Sequence, residues 1–95
     1  MTHRVFVVVA YDMPDDRRRE RLHDALLGFG TPVQYSVFEC LLEPDDVARM
    51  IGVVSRIISP RLDHVRYYHL CAQCQRRIET TLGPEAAHEE DTLVV

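Results

Sequence analysis

The fold of this 95-residue chain is decided by the stretch Val5-Phe6-Val7-Val8-Val9-Ala10-Tyr11, which Asp12 ends. Most of its residues are β-branched or aromatic, so the stretch is predicted to be a strand. Apolar residues stand at successive positions, and both faces of that strand are therefore apolar. A strand of this kind is typical of the centre of a sheet that is covered on both sides.

Two amphipathic helices are predicted downstream of this strand. The first begins near Pro14 and stops at Gly28 and Gly30, whereas the second begins at Pro44 and ends at Pro60. In each, apolar residues recur at helical spacing, which places them on one face. They are Leu22, Ala25, Leu26 and Phe29 in the first helix, and Val47, Met50, Ile51, Val54 and Ile58 in the second.

The remaining segments complete an α+β order. Residues 32–36 and 37–42 are predicted to be extended with a bend between them, and residues 64–70 alternate with a period near two. Residues 73–82 predict a short helix or turn, and residues 92–95 predict a terminal strand. The order βαββαβ indicates a ferredoxin-like sandwich, with a four-stranded antiparallel sheet, both helices on one face and an extra C-terminal strand.

The chain has room for a single domain, residues 1–95. The face of the sheet away from the two helices is expected to lack a cover within the chain. Because the first strand is apolar on both sides, that face would expose apolar surface. The simplest arrangement is a homodimer in which the open faces of two copies meet.

Charge and cysteine content narrow the possible partners and compartments. The 11 basic residues, all arginine, and 15 acidic residues give a net charge of −4. Any attraction to nucleic acid must therefore come from a local basic patch. Three cysteines without a secretory signal indicate a reduced, cytoplasmic protein. No stretch approaches the roughly 20 apolar residues that cross a bilayer, so no membrane association is expected.

The pair Tyr11-Asp12 at the end of the first strand is the main candidate site. Magnesium prefers one or two protein carboxylates and keeps several waters, which can supply a nucleophile near a phosphate. A single Asp12 is a poor metal site, but two copies brought together across a dimer axis can share one Mg²⁺. The following helix carries four arginines that can steer a phosphate backbone, namely Arg17, Arg18, Arg19 and Arg21. The alternative interpretation is that Asp12 caps this helix and that the arginines form a solvated face.

The segment Gln34-Tyr35-Ser36-Val37-Phe38-Glu39-Cys40 is the second candidate. The functional interpretation places Ser36 and Phe38 beside Asp12, with Phe38 as a wall or stacking surface. The alternative is an ordinary strand in which Phe38 is buried.

The pair Cys71-x-x-Cys74 is weaker evidence for a site. A zinc ribbon needs a second ligand pair, and the chain has no second CxxC. A redox motif would normally open a helix in a thioredoxin-like order, which is absent. Neither a metal nor a redox role is therefore expected at this pair.

The blocks Tyr11-Asp12-Met13-Pro14-Asp15-Asp16-Arg17-Arg18 and Val33-Gln34-Tyr35-Ser36-Val37-Phe38-Glu39-Cys40 resemble the two signature blocks of a known family. That family is the small CRISPR-associated adaptation protein, the dimeric partner of the CRISPR integrase, whose members are often named endoribonucleases. Residues 67–83 are similar to its third block. The resemblance covers nearly the whole chain, in the right order.

The resemblance implies a ferredoxin-like homodimer in which the two Asp12 residues lie near the dimer axis and share Mg²⁺. It implies that residues 92–95 pair with the partner's sheet. It also implies spacer acquisition, with the dimer bridging integrase subunits and holding double-stranded prespacer DNA. Relatives with nuclease activity cleave single-stranded RNA or double-stranded DNA. The residues that match those tied to cleavage are Tyr11, Asp12, Arg19, Arg21 and Phe38.

One position departs from the family pattern. Many members carry arginine just before the Val-Gln pair, where this chain has Pro32. The substitution weakens the nuclease interpretation more than the scaffold interpretation. Three hypotheses are favoured: an integrase scaffold, a metal-dependent endonuclease, and a free-standing toxin-type ribonuclease of the same fold. A fourth, a small-molecule regulatory module of this fold, is disfavoured because no glycine-rich effector loop stands out.

Overall fold

One antiparallel sheet of four strands organises the structure, a computed structural model that describes residues 3–83 and 85–86. The strands are Val5–Asp12 (β1), Thr31–Gln34 (β2), Val37–Leu42 (β3) and His64–Leu70 (β4). The helices are Asp16–Leu26 (α1), Pro44–Ile57 (α2) and the single turn Ala72–Gln75 (α3). The spatial order is β2-β3-β1-β4, which confirms the predicted ferredoxin-like arrangement with β1 inside the sheet.

The main core lies between the sheet and the two long helices. Alternate residues of β1 point into it, because successive side chains of a strand face opposite sides of a sheet. Val7 and Val9 are completely buried there, together with Leu22 of α1 and Met50 of α2. The apolar faces predicted for both helices are thus confirmed as the faces that pack on the sheet. Among the described residues, every helix is too short or too polar to span a bilayer.

The start of α1 is fixed by Asp15. Its carboxylate accepts a hydrogen bond from the backbone N–H of Arg18 at 2.8 Å, which satisfies a free donor of the first turn. The cap is therefore Asp15, and the alternative interpretation of Asp12 as the cap is wrong. The helix ends at Leu26, just before Gly28, as predicted.

The connection from α1 to β2 requires glycine at position 30. A β-carbon there would lie within 2.5 Å of the Cys40 sulfur, and closer still to the carbonyl oxygen of Glu39. Both of these residues belong to β3, so the chain passes directly over that strand. A larger residue would push the connection away from the sheet and disturb the entry into β2.

The second face of the sheet is partly covered by the chain itself. α3 packs against β1 and β4, and residues 78–82 line a cleft with Val37 and Glu39 of that face. Phe6, which points away from α1 and α2, is only 1% exposed. The expectation of a face without any cover within the chain is therefore wrong for this part of the sheet. The predicted terminal strand, residues 92–95, lies outside the described residues.

A buried ion pair ties α1 to the loop before β4. The Arg18 guanidinium donates to both carboxylate oxygens of Asp63, from Nε at 2.7 Å and from Nη2 at 3.0 Å. The Asp63 carboxylate is inaccessible to solvent and also accepts the backbone N–H of Ser59 at 2.7 Å. These hydrogen bonds, with Arg18 first, hold the pKa of Asp63 below its ordinary value of 3.8.

We expect Arg18→Ala to lower the melting temperature by several degrees at about pH 7, because it leaves a buried carboxylate without its guanidinium. A group whose pKa is lowered by folding stabilises the protein above its ordinary pKa, here 3.8, and this contribution is lost as the pH falls through the lower folded value. The difference between the variant and the wild type should therefore shrink in acid. Thermal unfolding followed by circular dichroism over this pH range measures it.

The matched control is Arg17→Ala, because Arg17 is the exposed neighbouring residue on the same helix. It should leave the melting temperature unchanged. An equal loss in both variants, or a difference that persists at acid pH, would contradict the importance of the ion pair.

Candidate functional site

Asp12 is exposed at the end of β1, on the face of the sheet that is turned away from α1 and α2. It lies opposite His64 of β4 in the antiparallel register. Within residues 3–83 and 85–86, its carboxylate has neither a hydrogen bond nor an ion pair. Asp12 is thus a free carboxylate held by paired backbone at a strand end.

The donor chemistry at Asp12 suits a hard cation only in part. An exposed, unpaired carboxylate is what Mg²⁺ prefers, since the ion keeps most of its waters. The described part of one chain contains no group of three or more acidic, histidine or cysteine side chains placed to hold a metal. Within the described residues, one copy therefore supplies a single carboxylate at this position.

The side chain of Tyr11 lies on the opposite face of the sheet from that of Asp12. Its backbone N–H donates to the carbonyl oxygen of Ser36 at 3.0 Å, and its ring is buried against the main core. The hydroxyl is buried and has no hydrogen-bond partner among the described residues. Burial raises the pKa of Tyr11, while the positive charge of Arg19 opposes the shift.

Phe38 is completely buried on the same side as Tyr11. The two ring centroids lie 6.5 Å apart, and the imidazole of His23 meets Phe38 edge-on at 5.2 Å. The prediction that Phe38 offers a stacking surface beside Asp12 is therefore wrong, and the alternative of a buried strand residue is correct. Phe38 instead supports the positions of Tyr11 and His23.

The four arginines of α1 have separate environments. Arg18 is occupied by Asp63, so it does not offer a free cation to nucleic acid. Arg19 pairs with Asp16, and it donates to the carbonyl oxygen of Met13 at 2.9 Å. Arg17 and Arg21 are exposed and have no partner in the part of the chain that the structure describes. Only these last two form the free basic surface that the sequence predicted.

A cleft of about 350 Å³ opens between α1 and the hairpin of β2 and β3. Its lining comprises Tyr11, Asp16, Arg19, Glu20, His23, Gln34 and Tyr35. The sequence did not predict this cleft, although one local signal is visible in it, the spacing of three polar residues of α1. Asp16, Glu20 and His23 recur at i, i+4 and i+7, which places three polar groups on one helix face. Tyr35, in the turn between β2 and β3, is 75% exposed, which is unusual for so large a ring.

The cysteines do not converge. Cys40 is buried in the main core, where burial raises its pKa to about 11. Cys71 and Cys74 are exposed at α3, and the Cys71 sulfur accepts the backbone N–H of Cys74 at 3.4 Å. This hydrogen bond lowers the pKa of Cys71. The described residues therefore place only two thiols at this position.

Comparison with known proteins supports the architecture and the signature blocks. The family model described as CRISPR associated protein Cas2 matches residues 5–78. A Synechocystis protein named CRISPR-associated endoribonuclease Cas2 3 is 34% identical over 88 residues, which is 93% of this chain and 96% of that protein. A Thermus thermophilus protein named CRISPR-associated endoribonuclease Cas2 is 42% identical over 66 residues, 70% of each chain.

Solved structures agree with these sequence matches. The crystal structure of Streptococcus pyogenes Cas2 has a TM-score of 0.72 at 31% identity, covering 79% of this chain and 96% of that one. A hypothetical protein from Thermus thermophilus has a TM-score of 0.77 at 33% identity, covering 85% of this chain and 95% of that one. The fold, the length and the order of the blocks lead to one conclusion: the chain belongs to the Cas2 family of CRISPR-associated proteins.

Proposed function

We propose that this protein acts in spacer acquisition as a homodimer that bridges the CRISPR integrase and holds prespacer DNA, with a metal-dependent endonuclease activity centred on Asp12. The observation that carries the catalytic part is the free, exposed carboxylate at the end of β1. The relatives are named endoribonucleases, and these names support phosphodiester cleavage of RNA. The proposed substrates to be tested are single-stranded RNA and double-stranded DNA.

In this proposal the Asp12 residues of two copies hold one Mg²⁺ near the dimer axis. When bound, the ion offsets charge on the scissile phosphate and lowers the pKa of a water. Each chain contributes one negative ligand and keeps it in place through the strand pairing of β1 with β4. Tyr11 and Phe38 lie on the other face of the sheet from Asp12, so in this proposal they are positioning residues that pack the end of β1 against the core.

The edges of the sheet support the proposed dimer. β4 is an edge strand, because its only described neighbour is β1. An unpaired edge is a ready site for strand addition. The proposed partner for this edge is the C-terminal segment of a second copy, residues 92–95. Such an exchange would join two sheets and bring the two Asp12 faces toward one axis.

The free arginines of α1 supply the proposed contact with the nucleic-acid backbone. Arg17 and Arg21 lie one helical turn apart, so they can follow successive phosphates of one strand. Because the net charge of the chain is −4, this local pair would have to overcome a general repulsion. Arg18 and Arg19 are excluded from this contact, since the fold already uses both of them.

We expect Asp12→Asn to reduce magnesium-dependent cleavage by about 100-fold or more, because it removes the charged ligand that positions the ion. The substitution should leave the melting temperature and the dimer unchanged, since Asp12 is exposed and unpaired. Labelled single-stranded RNA and double-stranded DNA are incubated with each protein, in magnesium and in excess chelator. Light scattering reports the oligomeric state.

The control is Asp24→Asn, which makes the same change at an exposed position of α1. It should cleave as the wild type does. If neither substrate is cut above the Asp12→Asn background by a well-folded dimer, the catalytic part of the proposal fails and the scaffold part remains.

We expect Arg17→Ala with Arg21→Ala to weaken binding of double-stranded DNA and to reduce the salt dependence of the affinity. Each lost phosphate contact should lower the slope of log K against log salt by about 1. Fluorescence anisotropy over a salt series measures the slope, with Arg56→Ala as the control because Arg56 is exposed on α2. An unchanged slope in the double variant would show that the DNA lies elsewhere.

A further inference from the structure

The cleft between α1 and the β2–β3 hairpin is lined by a tyrosine whose hydroxyl the described residues leave unsatisfied. Tyr11 lines this cleft and is 5% exposed, and its hydroxyl has no partner among the described residues. A buried hydroxyl without a hydrogen bond is destabilising, and buried polar groups in folded proteins almost always find a partner. A ligand group that enters the cleft can supply the partner that the described residues do not.

An aromatic wall stands beside this hydroxyl. The ring of Tyr35 lines the cleft and remains 75% exposed, although the Arg19 guanidinium covers part of it at 5.4 Å from the centroid. His23 also lines the cleft, and its ring is held edge-on against Phe38. The site thus offers a planar apolar surface that is held by neighbours, which suits a flat heteroaromatic ring.

The charges of the cleft argue against a phosphate inside it. The two carboxylates, Asp16 and Glu20, are accompanied by one guanidinium, and Arg19 already pairs with Asp16 and the Met13 carbonyl. No free cation remains there among the described lining residues. The Glu20 carboxylate and the Gln34 amide can accept hydrogen bonds from an exocyclic amino group. The volume, about 350 Å³, is within the range of small-ligand sites.

The surface next to the cleft has the opposite character. Arg17 and Arg21 follow Asp16 and Glu20 by one residue each, so they lie on the adjacent face of α1. They are exposed and free of described partners. If the phosphates of a nucleic-acid strand contacted these two arginines, the bases of that strand would lie next to the cleft.

We propose that this cleft binds one unpaired, amino-bearing nucleobase of a single-stranded nucleic acid, stacked on Tyr35 and hydrogen-bonded to the Tyr11 hydroxyl. The proposal rests on the proposed function for the class of ligand, a nucleic-acid strand. It needs neither Asp12 nor a metal ion, because the cleft is on the other side of the sheet from Asp12. Recognition of a base in the cleft is therefore separable from cleavage.

The test measures binding in the Asp12→Asn protein with excess chelator, so that no strand is cut. The probe is a single-stranded RNA of about six nucleotides with one central 2-aminopurine, whose fluorescence is quenched by stacking. The matched probe has an abasic nucleotide at the same position and keeps every phosphate, with a terminal dye for anisotropy. We expect quenching with the first probe, and an affinity about 5- to 100-fold weaker for the abasic strand.

Three variants in the Asp12→Asn background test whether Tyr35 and Tyr11 contact the base. Tyr35→Ala should lower the affinity for the base-containing strand about 5- to 100-fold, down to that of the abasic strand, while Tyr35→Phe should retain it. Tyr11→Phe should weaken base binding, yet its melting temperature should equal or exceed that of the parent, because it removes an unsatisfied buried hydroxyl. If the Tyr11 hydroxyl had only a structural role, Tyr11→Phe would lower the melting temperature instead.

The outcomes separate a strand from a free nucleoside as the source of the base. If adenosine or cytidine displaces the oligonucleotide at an equal concentration, the ligand of the cleft is a free nucleoside. If they compete only weakly, the ligand is a base within a nucleic-acid strand. Both results support nucleobase binding. Equal affinity for the abasic strand, together with no effect of Tyr35→Ala, would overturn the proposal. That result would leave the Asp12 nuclease untouched, since cleavage by the wild type is assayed separately.

Discussion

The pleat of β1 is the constraint on which the rest of the structure depends. Successive side chains of a strand point to opposite faces, so Tyr11 and Asp12 are neighbours in sequence but belong to different surfaces. Because β1 pairs with β3 on one side and β4 on the other, neither residue can change face without a slip of register against both neighbours. The pairing of the central strand thus separates a free carboxylate from a buried hydroxyl.

This separation divides the proposed chemistry between two sides of one thin sheet. On the side of Asp12, a single carboxylate is incomplete as a metal site, and in the proposed dimer a second copy completes it. On the side of Tyr11, one chain by itself assembles a cleft from α1 and the β2–β3 hairpin. Phe38 connects this second side to the core, since it packs under both Tyr11 and His23.

The geometry of α1 likewise places its arginines in different environments. Arg17 to Arg19 are consecutive, yet steps of about 100° per residue send them in different directions. One reaches Asp63 in a buried ion pair, and another folds back on Asp16 and the preceding loop. The result is a narrower basic surface than the run of arginines indicates. The buried ion pair and the proposed nucleic-acid contact therefore use different arginines of α1.

Local patterns in the sequence predicted much of the fold. The apolar strand, the helical spacing with its prolines and glycines, and the alternation over His64–Leu70 correspond to β1, α1, α2 and β4 as observed. The family was also recognisable from two short blocks, because those residues are contiguous. Asp12 was likewise predicted to lie at the end of this strand. These features depend on a few neighbouring residues, and their physical cause is therefore visible in one stretch of chain.

Only the tertiary structure decided what these elements contact. Asp63 lies 45 residues from Arg18, so no local pattern indicates that this arginine is occupied. The burial of Phe38 depends on α1 covering that face of β3, and the cover over Phe6 depends on the segment after β4 folding back across the sheet. The cleft beside Tyr35 likewise needs α1 and the β2–β3 hairpin together. The spacing of apolar residues in the sequence determines which face of a helix or strand is apolar. The packing of elements that are distant in the sequence determines which polar side chains remain without a partner.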